Sequence, residues 1–271
     1  MIQPVARVPV SIWRGAAARA GRRAIPEETP LAITYDRATY AVMLGTPADL
    51  RDFALGFSLS EGVIGDPAEI LDCVPHAVAG GIEVRIDLAS ARRDALLARR
   101  RHIAGPGGCG LCGMDSLAEA LAPLPRVGAG PRLDGAMIAD AMAALAGAQA
   151  LNRETHGMHA AGYYLPGSGL VLLREDVGRH NALDKLIGAM AGAGRAGEGG
   201  LLVLSSRLSI ELVQKAARAG IAAIAAISTP TALAVRAAEA AGITLIGIAR
   251  ADGFEVFTHP SRIEGAIADV A

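Results

Sequence analysis

Aromatic residues are scarce in this sequence, at 3%, while alanine is abundant and glycine occurs 33 times. Layers packed through small side chains are therefore expected, rather than cores filled by rings. Nor is there an excess of either charge. The 26 Lys and Arg against 27 Asp and Glu leave no overall field to draw the chain to nucleic acid or to anionic lipid. Long apolar runs are missing as well: the longest uncharged stretch, Ala219 to Val235, is interrupted by Ser228, Thr229 and Pro230, so no membrane-spanning helix is expected. The first residues, MIQPVARVPVSIWRG, hold no apolar signal core, and a cytoplasmic protein is the expectation. Cysteine is limited to three, an odd number that suits a reducing compartment and excludes a disulfide scaffold.

What is present suffices for one large or two ordinary domains: 271 residues, of which 52% are hydrophobic. The basic residues 1–25 are expected to form a loosely ordered arm. Leu31, Ile33 and Tyr35, then Tyr40 to Leu44, read as a hairpin turning at Asp36 and Arg37, followed by a helix over Asp49 to Leu59. Ile70 to Val78 and Gly81 to Leu88 read as strands, and Ala89 to Arg101 as a charged helix whose arginines form a solvated face or a docking surface. Pro123, Pro125, Gly128, Gly130 and Pro131 mark a linker. The expected organisation is α/β overall, with a small α+β domain over 26–127 and a second domain over 128–271. In the second, a helix over Asp134 to Leu151 leads to a hairpin, Ala160 to Leu165 with Gly169 to Leu173.

The last third alternates strand and helix: LLVLSS, SIELVQKAARAG, IAAIAAIS, TALAVRAAEAAG, TLIGIAR. Both helices stop at a glycine, Gly220 or Gly242, where a left-handed residue ends a helix cheaply. That alternation predicts parallel strands with crossover helices, and such sheets bind ligands beyond the carboxyl ends of their strands. Ser205, Ser206, Arg207, Ser228, Thr229 and Arg250 fall at those ends, so a phosphate or another polar anion is the expected guest.

Two polar concentrations carry chemistry. In GPGGCGLCGMDSLAEAL, Cys109 and Cys112 sit in a glycine-dense loop ahead of a helix whose start carries the capping-box pair Ser116 and Glu119. A C-x-x-C pair can serve structural zinc, dithiol exchange or sulfur transfer. Zinc wants two more ligands at fixed spacing, and a thioredoxin-like site wants a surrounding βαβ unit. A sulfur-carrying thiolate needs only a nearby positive helix end to favour ionisation, and the second cysteine can then release the sulfur by thiol exchange.

The second concentration is REDVGRHNALDK, Arg174 to Lys185, which follows a strand and enters a helix, as anion sites do. His180 and Asp184, like Asn181 and Lys185, are four apart and share a helix face, by which a solvated face with internal pairing is the plainer account. His156 and His159 in HGMHAAG are expected to be satisfied histidines, since no third metal ligand lies close in sequence.

With these motifs in place, and with TPADLRDFALGFSLSEGVI, THGMHAAGYY, SSRLSIELVQKAA, TPTALAV and GITLIGIAR in order along the chain, the sequence resembles the formate dehydrogenase accessory sulfurtransferase family, FdhD, over residues 27 to 259. The resemblance implies a carrier that takes sulfur from a cysteine desulfurase. It would deliver that sulfur to a bis-molybdopterin guanine dinucleotide molybdenum cofactor before insertion into formate dehydrogenase. It implies Cys109 as the persulfide residue and Cys112 as its partner. Cofactor contacts would fall on Ile248, Ala249, Arg250, Ala251, Asp252 and Gly253, with Ser205, Arg207, His180, Asn181 and Lys185 as further candidates. It also implies a C-terminal three-layer domain similar to cytidine deaminases, a homodimer, and no resident metal. A zinc deaminase would need His-x-Glu before Pro-Cys-x-x-Cys; here the C-x-x-C comes first and His156 and His159 are followed by Gly157 and Ala160. A cofactor chaperone that moves no sulfur is the other alternative.

Overall fold

The structure is a computed structural model that describes residues 2–93, 96, 123–195 and 199–265. Cys109, Cys112 and the capping-box residues after them lie outside the described residues.

The amino-terminal residues, expected to be a loose arm, form a hairpin instead. Strand β1 (Val5–Arg14) pairs antiparallel with β2 (Ala17–Pro26). The physical reason is a period of two, Val8, Val10 and Ile12 alternating with Arg7, Pro9 and Ser11, turned at Gly15 with φ +58°. Pro9 within the first strand and the run of alanine and arginine in the second hide the alternation.

A four-stranded sheet follows, ordered β4-β3-β6-β5. It comprises β3 (Thr29–Tyr35), β4 (Ala38–Gly45), β5 (Ile70–Val78) and β6 (Gly81–Leu88), within a residue or two of the bounds read from the alternation. Its buried face, Leu31, Ile33, Val84 and Ile86, packs on Phe53, Ala54 and Phe57 of helix α1 (Leu50–Ser60).

The larger unit has a six-stranded sheet ordered β12-β11-β10-β9-β7-β8. Strands β9 (Leu201–Leu204), β10 (Ala223–Ala226) and β11 (Thr244–Arg250) are parallel, as the alternation predicts. Strands β7 (His159–Leu165) and β8 (Gly169–Asp176) form the expected hairpin, and β12 (Gly253–Thr258) adds an antiparallel edge that the sequence analysis did not anticipate. One face is covered by α2 (Gly135–Ala148). The other is covered by α4 (Arg179–Gly192), α5 (Ile210–Arg218) and α6 (Ala232–Ala241), which gives the three-layer arrangement. The helix expected over Asp134 to Leu151 breaks at Gln149. A second short helix, α3 (Ala150–Thr155), starts where the Glu175 carboxylate accepts the N–H groups of Leu151 and Asn152 at 2.9 and 2.8 Å.

The two units meet along α1 and α4, through two glycines that let the backbones touch. A Cβ on Gly56 would lie 1.7 Å from the carbonyl oxygen of Asp184, and one on Gly188 would lie 1.9 Å from that of Asp52. No other residue fits either position. Beside this crossing runs a buried polar seam. Lys215 donates to Ser60 at 2.9 Å, to Glu61 at 2.8 Å and to Asp184 at 3.0 Å, and the Ser60 hydroxyl donates to Asp184 at 2.6 Å. Each charge taken out of water thus has an opposite partner.

Candidate functional site

The motif at the strand-to-helix junction divides into residues that hold and residues that are presented. Asp176, fully buried, is the organiser. One carboxylate oxygen accepts from the backbone N–H of Gly178 at 2.8 Å and from the Asn181 amide at 3.1 Å. The other accepts from the N–H of Thr46 at 2.9 Å and from the Lys185 ammonium at 2.7 Å. Asn181 and Lys185 also donate to the carbonyls of Leu44 and Thr46. These two residues, expected at the ligand, are therefore seam residues whose donors go to Asp176 and to carbonyls of the small unit. Lys185 is 0% exposed, with no face left for a guest. What they accomplish is to fix the first turn of α4, from which Arg179 and His180 project.

Strand β8 runs parallel to β9, because both are antiparallel to β7. The start of α4 therefore falls at the same sheet edge as the carboxyl ends of β9, β10 and β11. Arg179, His180, the opening residue of β7, His159, and the residues after each parallel strand line this one edge. Ser205 is committed there: its hydroxyl accepts from the Ala160 N–H at 2.7 Å and anchors β7 to β9. Ser206 is buried and donates to the Arg207 carbonyl. The Arg207 side chain is exposed, and its guanidinium has no hydrogen-bond or ion-pair partner among the described residues.

Both histidines are held neutral by the same surroundings. Burial, then the adjacent Arg179 guanidinium, pushes His180 down to about 4, and burial followed by Arg179 lowers His159, with Arg207 adding to it. Among the described residues the Nε of Arg179 and the Nε2 of His180 are buried without a hydrogen-bond partner, and His180 Nε2 stands 3.9 Å from the Glu211 carboxylate, beyond hydrogen-bond reach. The unspent Nε of Arg179 and the exposed Arg207 guanidinium favour an anionic, hydrogen-bonding guest, although the Glu211 carboxylate, which has a buried, unpaired oxygen, offsets part of the Arg179 charge.

The end of β11 supplies the third side of this edge. Ile248 has φ +50°, and its N–H donates to the Ser228 carbonyl within a bulge between Gly247 and Arg250. A β-branched residue in the left-handed region is strained, by about 1–3 kcal/mol. The bulge re-aims the strand end so that Arg250 lies exposed, its Nε donating to the Ile227 carbonyl at 3.2 Å. Ala251 and Asp252 form an exposed turn, and Gly253 opens β12 at φ +145°. Ala249 departs from expectation: it is 2% exposed and packs in the core under α2, so it supports the hairpin rather than facing a guest. Ile227, 43% exposed, sets an apolar surface beside Arg250.

Sequence reasoning passed over Arg179 and Ile227, and it read His159 only as a satisfied histidine, not as part of this edge. Arg179 was legible from its place in the first turn after a strand. Ile227 carried no signal.

Among the described residues no three His, Cys, Asp or Glu side chains converge as metal ligands. His156, exposed in a left-handed turn after α3, does not pair with His159 at one site. Cys73 is the one cysteine among the described residues, and burial pushes its thiol up to about 11, so it is protonated and a poor nucleophile at neutral pH.

Comparison with known proteins gives one consistent picture. The model of the FdhD/NarQ family matches residues 26–264, which takes in both units and leaves out nearly all of the amino-terminal hairpin. A sulfur carrier protein FdhD from Agrobacterium fabrum is 49% identical over 258 residues, 95% of each chain. One of the same name from Brucella abortus is 50% identical over 244 residues, 89% of this chain and 90% of the other. The crystal structure of a putative formate dehydrogenase accessory protein from Desulfotalea psychrophila superposes with a TM-score of 0.76 at 25% identity, covering 96% of this chain and 99% of that one.

Proposed function

The chain belongs to the FdhD/NarQ family, and from that premise we propose that it is a sulfur carrier serving a formate dehydrogenase, acting through a persulfide on Cys109. The observation that carries this reading is the edge formed by Arg179, Arg207 and Arg250 with two neutral histidines, in a chain whose sequence also holds the C-x-x-C motif of Cys109 and Cys112. That these relatives are sulfur carrier proteins supports the sulfur chemistry.

In the proposed sequence the Cys109 thiolate attacks the outer sulfur of a cysteine desulfurase persulfide. A sulfur–sulfur bond forms on Cys109, and the desulfurase cysteine leaves as a thiolate. Cys112 then attacks the Cys109 sulfur, the bond to the outer sulfur breaks, and hydrosulfide is released to the substrate. The Cys109–Cys112 disulfide left behind returns to the dithiol at the expense of a thiol reductant. The substrate is the molybdenum cofactor carried as bis-molybdopterin guanine dinucleotide. Its phosphates meet Arg179, Arg207 and Arg250 as charge-assisted hydrogen-bond donors, and its guanine lies against Ile227 and the Ile248–Gly253 turn. The neutral imidazoles of His159 and His180 add donors without adding charge. Such a carrier works in the cytoplasm, where both donor enzyme and apo-dehydrogenase are made.

The test is to follow label from radiolabelled cysteine through a desulfurase and this chain into cofactor destined for formate dehydrogenase. Label should reach the cofactor only when the chain is present. Equal transfer in its absence would overturn the proposal and favour a chaperone that binds the cofactor without moving sulfur.

A further inference from the structure

The amino-terminal hairpin lies almost wholly outside the family match, and the sulfur chemistry leaves it unused. Residues 2–26 carry Arg7, Arg14, Arg19, Arg22 and Arg23 and no carboxylate, whereas residues 27–93 carry eleven carboxylates against five arginines. The near-neutral charge of the whole chain conceals this segregation. The base of the hairpin is fixed to the body. Ala24 is buried where β2 packs on α3, the Glu27 N–H donates to the Pro4 carbonyl at 2.9 Å, and Arg7 pairs with Glu154 at 2.7 Å. The tip stands clear: every residue from Trp13 to Ala20 is exposed, and Trp13, the sole tryptophan, is 67% exposed. Ten residues of strand separate tip from base by about 33 Å. That is about four Debye lengths at physiological salt, so the acidic small unit does not cancel the field of the tip.

The register sets how these charges are arranged. Residues opposite each other share a face, so Arg14, Arg19 and Arg23 stand on one face with Val8, Val10 and Ile12, and Arg22 stands on the other with Trp13. Arg22 donates to the Arg7 carbonyl at 2.8 Å, and none of these four guanidinium groups meets a carboxylate among the described residues. A two-stranded ribbon of this kind is marginal in water by itself. A groove on another protein would match the charge of one face alone. Cations on both faces of a narrow ribbon, around a tip of tryptophan, glycine and alanine, fit a flat anionic surface met tip first. At a bilayer surface an indole sits at the boundary between water and lipid, and guanidinium groups reach the headgroup phosphates. Among the described residues no helix is long and apolar enough to cross a membrane, so the contact is peripheral.

We infer that the hairpin is a peripheral anchor for an anionic lipid surface, Trp13 entering the headgroup boundary and Arg14, Arg19, Arg22 and Arg23 pairing with lipid phosphates. The contact is reversible, because it joins exposed opposite charges, weakens with salt and buries a single large side chain. The inference stands apart from the sulfur reading, because it uses neither cysteine of the C-x-x-C motif.

The test uses the full chain with vesicles of phosphatidylcholine alone or of phosphatidylcholine and phosphatidylglycerol in equal parts. Co-sedimentation should retain the chain on the anionic vesicles only, and retention should fall as salt rises. On those vesicles the emission of Trp13 should shift to the blue and become shielded from acrylamide, a signal with one source because the chain holds one tryptophan. Arg14→Gln, Arg19→Gln and Arg23→Gln should each weaken retention about fivefold, the worth of one arginine near an anionic surface. These positions are exposed, and circular dichroism should show the fold unchanged; should it not, the emission of the parent chain decides. No retention, equal retention on both vesicles, or retention with Trp13 emission unaltered would overturn the inference. Binding to RNA or to polyglutamate with the vesicles left untouched would also overturn it, and would assign the hairpin to a nucleic acid or to an acidic protein. Persulfide loading of Arg19→Gln stays at the parent level, so the lipid contact and the sulfur chemistry fail separately.

Discussion

Asp176 and Lys185 form a 2.7 Å ion pair in which neither side chain reaches solvent. The pair ties the start of α4 to Thr46 of the small unit, so the residues presented at the sheet edge depend on a contact beneath them. Lys185→Met leaves a buried carboxylate without its counter-charge and should cost about 3–5 kcal/mol in urea unfolding. Asp176→Asn should cost as much, and the double variant should recover part of the loss. Guanine nucleotide affinity should fall together with stability, because Arg179 and His180 lose the support beneath them. A Lys185→Met chain of unchanged stability but lost affinity would restore that residue to the ligand.

The glycine crossing of α1 and α4 tolerates no added carbon. Gly56→Ala and Gly188→Ala each force the two backbones apart, and overpacking of this kind costs about 1–3 kcal/mol, occasionally more. Thermal melts should fall by about 2–4 °C for each kcal/mol. Gly192→Ala, near the end of the same helix with nothing around its added carbon, is the control and should leave the melting temperature unchanged or raised.

Much of this architecture was legible from pattern alone. The alternation of Leu31, Ile33 and Tyr35, and the strand-helix rhythm after Leu201, set the sheets because periodicity reports which face is buried. Ser205, Arg207 and Arg250 were legible as edge residues for the same reason. The roles of Asn181 and Lys185 were not. A helix-face argument locates side chains on their own helix, while their partners, Leu44 and Thr46, come from a strand end more than a hundred residues earlier. Gly56 offered a signal, an isolated glycine within a helical stripe, but its meaning required the facing Asp184 carbonyl.

Three guanidinium groups on one edge make a specific prediction for ligand binding. Arg179→Ala, Arg207→Ala and Arg250→Ala should each weaken guanine nucleotide binding by roughly tenfold to a hundredfold, the worth of one charge-assisted hydrogen bond. Isothermal titration at two salt concentrations checks it, and the three variants should be less salt-sensitive than the parent. Affinity unchanged in all three would move the anion site elsewhere.

His180 gives the fold an acid-sensitive element. Its folded value of about 4 lies below the ordinary 6.5, so between those values the unfolded chain binds the proton that the folded chain refuses. Stability from this group is therefore intact above about pH 6.5 and is lost as pH falls toward 4. Urea midpoints measured from pH 7 to pH 4 should decline less steeply in His180→Gln than in the parent. Parallel curves would show that the histidine is free to protonate in the folded state.

The central claim rests on which sulfur carries the cargo, and intact mass spectrometry reads it directly. After incubation with a cysteine desulfurase and cysteine, the parent chain and Cys112→Ala should each gain the mass of one or more sulfur atoms, removable by a thiol reductant, while Cys109→Ala gains none. An adduct that persists in Cys109→Ala would contradict the account.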